Sequence, residues 1–220
     1  MSNTVSVFSG FQLNDIWFMA EAAGRTVLIS AVSIVVGTVV GIVCGWGMNA
    51  GNFIVRSLLG PVLDLFRSVP LLIQLVLFYN FFPIIGWALD PFASGIFVLS
   101  LYTAALVTQV ARAGIDSVGL PMRRASRSLG MSYWQDMRYV VWPIGLRAVF
   151  PAWVGVALSV MKDSALVSVL GYVELLRASQ ILITRTQEPF LILAVAGAFY
   201  FALSYPLSKY SQKLEERWAS

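Results

Sequence analysis

"MRRASRSLGMSYWQDMRYVVWPIGLRAVFP", residues 122–151, is studded with arginine, yet it lies between hydrophobic runs long enough to cross a membrane. Working outward from it, residues 26–46, 68–89, 91–111 and 189–208 are uncharged runs, the first bounded by Arg25 on its N-side and the others by charged residues at both ends. Each has the ~20 residues that carry a helix across ~30 Å of hydrocarbon. Residues 148–173 are also long enough, although Lys162 and Asp163 interrupt them. The pattern predicts an all-α membrane protein of about five transmembrane helices. The quoted stretch falls in the connection between the third and fourth.

Composition agrees. The 220 residues are 58% hydrophobic and 12% charged, with a net charge of +4, and the mean hydropathy is +0.78. A soluble domain carries about 25% charged residues, so this chain has too little polar surface to cover a water-soluble globule. Cys44 is the single cysteine and sits in an apolar run, which excludes an intramolecular disulfide and reads as a small buried hydrophobe. The absence of histidine removes His-based triads, imidazole relays and His metal sites. The start, "MSNTVSVFSGFQLND", lacks a basic n-region, so no cleaved signal peptide is expected. Asp15 and Glu21 among aromatics make residues 1–24 an extracytoplasmic or interfacial lead-in, with a sixth short span as the alternative. Residues 25–208 then form the transmembrane domain, and residues 209–220 a C-terminal tail.

Basic residues set the topology. With five spans, the 47–57 connection, the 112–147 loop and the tail share one side. That side holds Arg56, Arg112, Arg123, Arg124, Arg127, Arg138, Arg147, Lys209, Lys213 and Arg217. The loop and C-terminus are therefore expected in the cytoplasm and the N-terminus outside. Within the loop, residues 123–129 suit a short helix that Gly130 stops in a left-handed cap. Ser132 and Gln135 fit a capping box opening a second helix, with Tyr133, Trp134, Met137, Val140 and Val141 at helical spacing. Gln135, Asp136 and Arg138 make its polar side, and Pro143 is expected to end it. Such a loop either satisfies the positive-inside rule and no more, or docks a cytoplasmic partner.

The stretch "RASRSLGMSYWQDMRYVVWPIGLRAVFP" resembles the cytoplasmic EAA loop of ABC importer permeases (E-A-A, three residues, G, nine residues, I-x-L-P). Ala125, Gly130 and Pro143 match, with Val140 in the isoleucine place. "FRSVPLLIQLVLFYNFFP" (66–83), "VARAGIDSV" (110–118) and "MKDSALVSVLGYVELLRASQ" (161–180) resemble, in order, segments of the polar amino-acid permeases. Arg124 stands in the place of the motif's glutamate, Ser126 in that of its second alanine and Trp142 in that of its leucine. Gln109 replaces a frequent glutamate. The resemblance implies a bacterial inner-membrane subunit for binding-protein-dependent uptake of a polar amino acid. It would work beside a second permease subunit, either identical or, as Arg124 slightly favours, non-identical and bearing the standard motif. Two ATP-binding subunits would dock on Arg124, Ala125, Ser126, Gly130 and Pro143, and an extracytoplasmic solute-binding protein would deliver the solute. ATP and Mg would be used by the partner: the chain has no G-x-x-x-x-G-K-[ST] loop and is expected to bind no cofactor or metal, to engage lipid and not nucleic acid, and to catalyse nothing alone.

Ionisable residues inside a span cost about 2.5–3.5 kcal/mol each on insertion scales and face a partner or a wet path. Lys162 and Asp163 lie roughly 21–23 Å beyond Ala148 at 1.5 Å per residue, and Ser159 shares their face at i, i+3, i+4. They form either a structural ion pair or a solute-contacting face that continues into Ser164. Thr108, Gln109 and Arg112 make a second polar face, unless Arg112 simply pairs with Asp116. Asp163 could hold an ammonium group, and Lys162 with Arg112 a carboxylate. Asp64 and Arg67 read as a local pair. Glu174, Arg177 and Gln180 either meet the binding protein or are solvated. A passive channel or structural subunit is the competing class; an intramembrane hydrolase would have only a Ser–Lys or carboxylate dyad to work with.

Overall fold

The computed structural model describes residues 10–51 and 53–219. Every described element is helical. In chain order they are α1 (Leu13–Ala50), α2 (Phe53–Ser68), α3 (Leu71–Ile84), α4 (Pro91–Asp116), α5 (Leu120–Ser128) and α6 (Tyr133–Asp136). A π-helical turn (Met137–Val141) joins α6 to α7 (Trp142–Asp163), and a 3-10 segment (Ser164–Leu170) leads on to α8 (Leu175–Thr186) and α9 (Pro189–Ala219). Four helical stretches are long and apolar enough to cross a membrane, and the bent α2–α3 pair makes up to five.

α1 and α4 form the spine. Gly37, Gly41 and Gly45 recur every fourth residue on α1 and face Thr103, Val107 and Ala111 of α4, also every fourth residue. A Cβ added at each would lie 2.5 Å, 2.7 Å and 2.7 Å from those side chains' Cβ atoms. The helices therefore run parallel with backbones in close approach, the small-residue packing that serves where lipid supplies no hydrophobic drive. α7 crosses α4 antiparallel: Gly145 meets the Gly114 backbone at one end, and Val167 of the 3-10 segment that continues α7 meets Gly95 at the other. Ile29, Leu75, Val98, Leu99, Val160 and Val167 fill the centre.

Several expectations change. Residues 13–24 are the first turns of α1 and not a segment apart from it; Asp15 receives the Gln12 N–H at 2.8 Å and pairs with Arg185 of α8. The first nine residues of the expected lead-in lie outside the described part. The uncharged run 68–89 is not one full-length span: its only whole helix is α3, of 14 residues, and a span arises here only as the α2–α3 pair, whose helices meet at 108°. Pro70 disfavours helix at Val69, and buried Gln74 donates to the carbonyls of Phe66 (2.8 Å) and Val69 (2.7 Å) that the break leaves free. Pro143 does not end the second loop helix. The π turn before it shifts the hydrogen-bond register, and the proline sits at the first positions of α7 with the helix continuing through it.

Candidate functional site

Two polar regions lie at opposite ends of this bundle. The first is the arginine-rich loop. α5 ends at Gly130, whose φ of +79° is the left-handed cap expected of it. Ser132 then opens α6 with the expected capping box: its N–H donates to Gln135 Oε1 at 2.8 Å, and its Oγ accepts the Gln135 N–H at 3.4 Å. Asp136, read above as part of a polar side, instead turns inward and is 0% exposed. It accepts Ser126 Oγ at 2.6 Å and Arg123 Nε at 3.1 Å, so α5 and α6 are locked across Gly130. Arg124 and Ala125 remain exposed. Trp46 of α1 donates to the Tyr133 hydroxyl at 3.0 Å and stacks near Trp134, fixing the loop against the end of α1.

The same end collects the other basic connections. Arg56 donates to the carbonyls of Met48 (2.8 Å) and Asn49 (3.2 Å), the last turn of α1. Near the C-terminus of α9, Trp218 packs edge-on against Phe150 of α7. The 47–57 connection, the loop and the tail thus lie together, and Asp15, Arg185 and Glu174 lie at the far end.

The second region is the far half of α7. Ala152, Gly155, Ser159 and Lys162 form a small and polar face that is exposed along the helix. Half-buried Asp163 accepts Ser159 Oγ at 3.2 Å. Lys162 and Asp163 form no ion pair among the described residues. Ser164 is fully buried and donates to the Met161 carbonyl at 2.8 Å, so it does not belong to that face.

Gln109 and Arg112, grouped with Asp163 by charge, stand elsewhere. Gly114 packs on Gly145, and α7 runs from there to Asp163, so Arg112 and Asp163 are on the order of 24 Å apart at 1.5 Å per residue. One amino acid cannot bridge them. Thr108 turns away to α1, donating to the Gly41 carbonyl at 3.3 Å and the Ala104 carbonyl at 2.7 Å. Asp116 accepts Asn49 Nδ2 at 3.0 Å in place of Arg112. Asp64 and Arg67 do form their local pair, at 3.2 Å. An apolar cavity of about 340 Å³ lined by Trp46, Val107, Trp142 and Trp153 does not suit a zwitterion, since the Thr38 hydroxyl at its edge already accepts Trp153 Nε1.

Glu174 is the polar residue whose place the sequence did not give. It is 0% exposed and caps α8, accepting the N–H groups of Leu176 (2.9 Å) and Arg177 (2.8 Å) and the Tyr200 hydroxyl (3.2 Å). Thr26 of α1 accepts the Leu175 N–H at 3.1 Å. Burial pushes the Glu174 carboxyl above its ordinary range, against hydrogen bonds from Leu176, Arg177, Tyr200 and Thr26 that pull it down. It joins α1, α8 and α9, whereas Arg177 and Gln180 are exposed and bonded to each other at 3.2 Å.

A bundle of spanning helices with a rigid basic loop at one end and an open polar face at the other defines a membrane transport subunit. The chain belongs to the family of binding-protein-dependent transport system inner membrane components, whose model matches residues 37–218. It is 26% identical to the glutamine transport system permease protein GlnP of Escherichia coli K12 over 213 residues, covering 94% of this chain and 97% of that one. It is 30% identical to a probable glutamine ABC transporter permease of Bacillus subtilis over 197 residues (87% and 89%). With the nopaline transport system permease protein NocM of Agrobacterium fabrum it shares 30% over 201 residues (87% and 83%). Among solved structures, an amino acid ABC transporter with histidines superposes with a TM-score of 0.84 at 28% identity, over 91% of this chain and 94% of that one. The MetNI methionine ABC transporter shares the fold, with a TM-score of 0.81 at 18% identity, over 94% and 99% of the two chains.

Proposed function

We propose that this permease carries a polar amino acid across the inner membrane by alternating access, driven by ATP hydrolysis in separate subunits that dock on the α5–Gly130–α6 loop. The observation that carries the reading is the construction of that loop. A fully buried carboxylate holds two short helices in one geometry, while the outer face of α5 stays exposed. A passive pore has no use for a locked, outward-facing lever. The chain itself catalyses nothing in this scheme. It pairs with a second permease subunit and receives its solute from an extracytoplasmic binding protein, with the loop and C-terminus in the cytoplasm and the N-terminus outside. Names of relatives that handle glutamine and nopaline support an amino-acid or amino-acid-derived solute.

The open α7 face is the solute path. A surface of Ala152, Gly155, Ser159 and Lys162 is a poor neighbour for lipid, and Asp163 beside it supplies the anion an ammonium group needs. Gln109 and Arg112 form a separate station nearer the loop. The test is Gly130→Val in membranes holding the chain and its ATP-binding subunit. A β-branched residue at φ +79° is strained, so the variant should insert normally, keep the partner's ATP hydrolysis and lose roughly tenfold or more of solute uptake. Normal uptake by Gly130→Val would remove the loop from the mechanism.

A further inference from the structure

We infer that the loop of this chain docks in an acidic groove, with the Arg124 guanidinium set against carboxylates of the ATP-binding subunit. This rests on the docking role proposed above and specifies its chemistry. The departure at 126 has a partner within the loop, whereas the Arg124 side chain has none among the described residues. Ser126, in the place of an alanine, supplies the hydroxyl that Asp136 accepts at 2.6 Å. Asp136, fully buried, also takes Arg123 Nε at 3.1 Å. The negative charge that the motif carries on α5 is here on α6 and directed inward, where it holds the two helices together.

What remains outside is cationic. Leu120, Arg124, Arg127 and Ser128 recur at i, i+4, i+7 and i+8, and all four are exposed. α5 contains no carboxylate. Among the described residues the Arg124 side chain has no hydrogen bond or ion pair; only its carbonyl is used, by Ser128 Oγ at 3.0 Å. Leu120 (67%), Met122 (52%) and Leu129 (79%) add exposed apolar surface beside the arginines. Arginine with apolar neighbours on a rigid element is the composition of an interface core, and its planar fork matches a carboxylate in bidentate geometry. Anionic lipid headgroups would also attract arginine, but they impose no register. A buried carboxylate that holds α5 in one orientation is of use only against a partner with a shape of its own.

The experiment uses membranes containing the full chain co-expressed with the ATP-binding subunit that supports its uptake, and measures how much of that subunit stays bound as NaCl is raised. Wild-type retention should fall with salt. Arg124→Glu should retain at least roughly tenfold less subunit at low salt, because like charges then face each other. Arg124→Lys, which keeps the charge but not the fork, should recover part of the loss. Arg124 is exposed, so neither variant disturbs the fold, and chain levels in the membrane serve as the check. Equal or tighter retention by Arg124→Glu overturns the acidic groove, as does a loss that appears only in vesicles rich in anionic lipid. Gly130→Val separates the two readings. If it uncouples while Arg124→Glu docks normally, the loop docks without an acidic groove. If Gly130→Val transports normally, the docking reading itself falls.

Discussion

At the scale of single residues, the question is which charges contact the solute and which hold the fold. Asp163 is half-buried and bonded to one neighbour on its own helix, Ser159, and it forms no ion pair among the described residues. The structural pair with Lys162, one of the two readings of this face, is not formed among the described residues. A charge-assisted contact to an ammonium group is roughly twice as strong as a neutral one, so Asp163→Asn should lower uptake roughly tenfold or more while the ATP-binding subunit stays bound. The double variant Lys162→Met/Asp163→Leu should not recover uptake, since there is no pair for it to relieve; wild-type-like uptake by it would end the solute-contact reading. Asp163 was legible in the sequence because a carboxylate inside an apolar run is rare. Asp136 and Glu174 were not. Each is an ordinary polar residue in its own segment and becomes buried only through distant partners, Ser126 across a glycine turn and Thr26 and Tyr200 on other helices.

At the scale of elements, hydrophobic run length located the spans, and local turn chemistry located the loop. Gly130 and the Ser132–Gln135 box are legible because their physics is confined to a few neighbouring residues. The α2–α3 bend and the passage of the helix through Pro143 were not, since each depends on where freed carbonyls find donors or how a π turn shifts the register. The glycine spacing on α1 was present in the sequence as Gly37, Gly41 and Gly45, but its meaning depends on α4 lying parallel with Thr103, Val107 and Ala111 in step. Gly41→Leu tests it. The added Cβ alone would lie 2.7 Å from the Val107 Cβ and 2.9 Å from the Ala104 carbonyl oxygen, so relief requires the two helices to separate. Overpacking of this kind costs typically about 1–3 kcal/mol. Gly41→Leu should lower the thermal midpoint of the detergent-solubilised protein, whereas Gly47→Leu, at a position with nothing within 4 Å, should leave it near wild type. Equal midpoints for the two variants would mean that the close approach does not hold the spine.

At the scale of the whole molecule, sidedness follows from contacts and charge together. The Trp46–Tyr133 hydrogen bond, the Arg56 cap on α1 and the Trp218–Phe150 contact gather the basic connections at one end. The opposite end holds the Asp15–Arg185 pair and the Glu174 cap, where acids balance bases. By the positive-inside rule the basic end would face the cytoplasm, as the proposed docking role requires. The grouping was legible from the count of five expected spans, which puts the 47–57 connection, the loop and the tail on one side. The prediction that tests the direction uses Ser128, exposed on α5, and the single native cysteine, Cys44. On a Cys44→Ser background, Ser128→Cys in intact cells should resist a membrane-impermeant thiol reagent and react once the membrane is opened. Gln180→Cys, exposed on α8 at the other end, should react in intact cells through the outer face of the inner membrane. Reversal of the two patterns would place α5 outside, where no ATP-binding subunit can reach it, and the docking role and the acidic groove would both be lost.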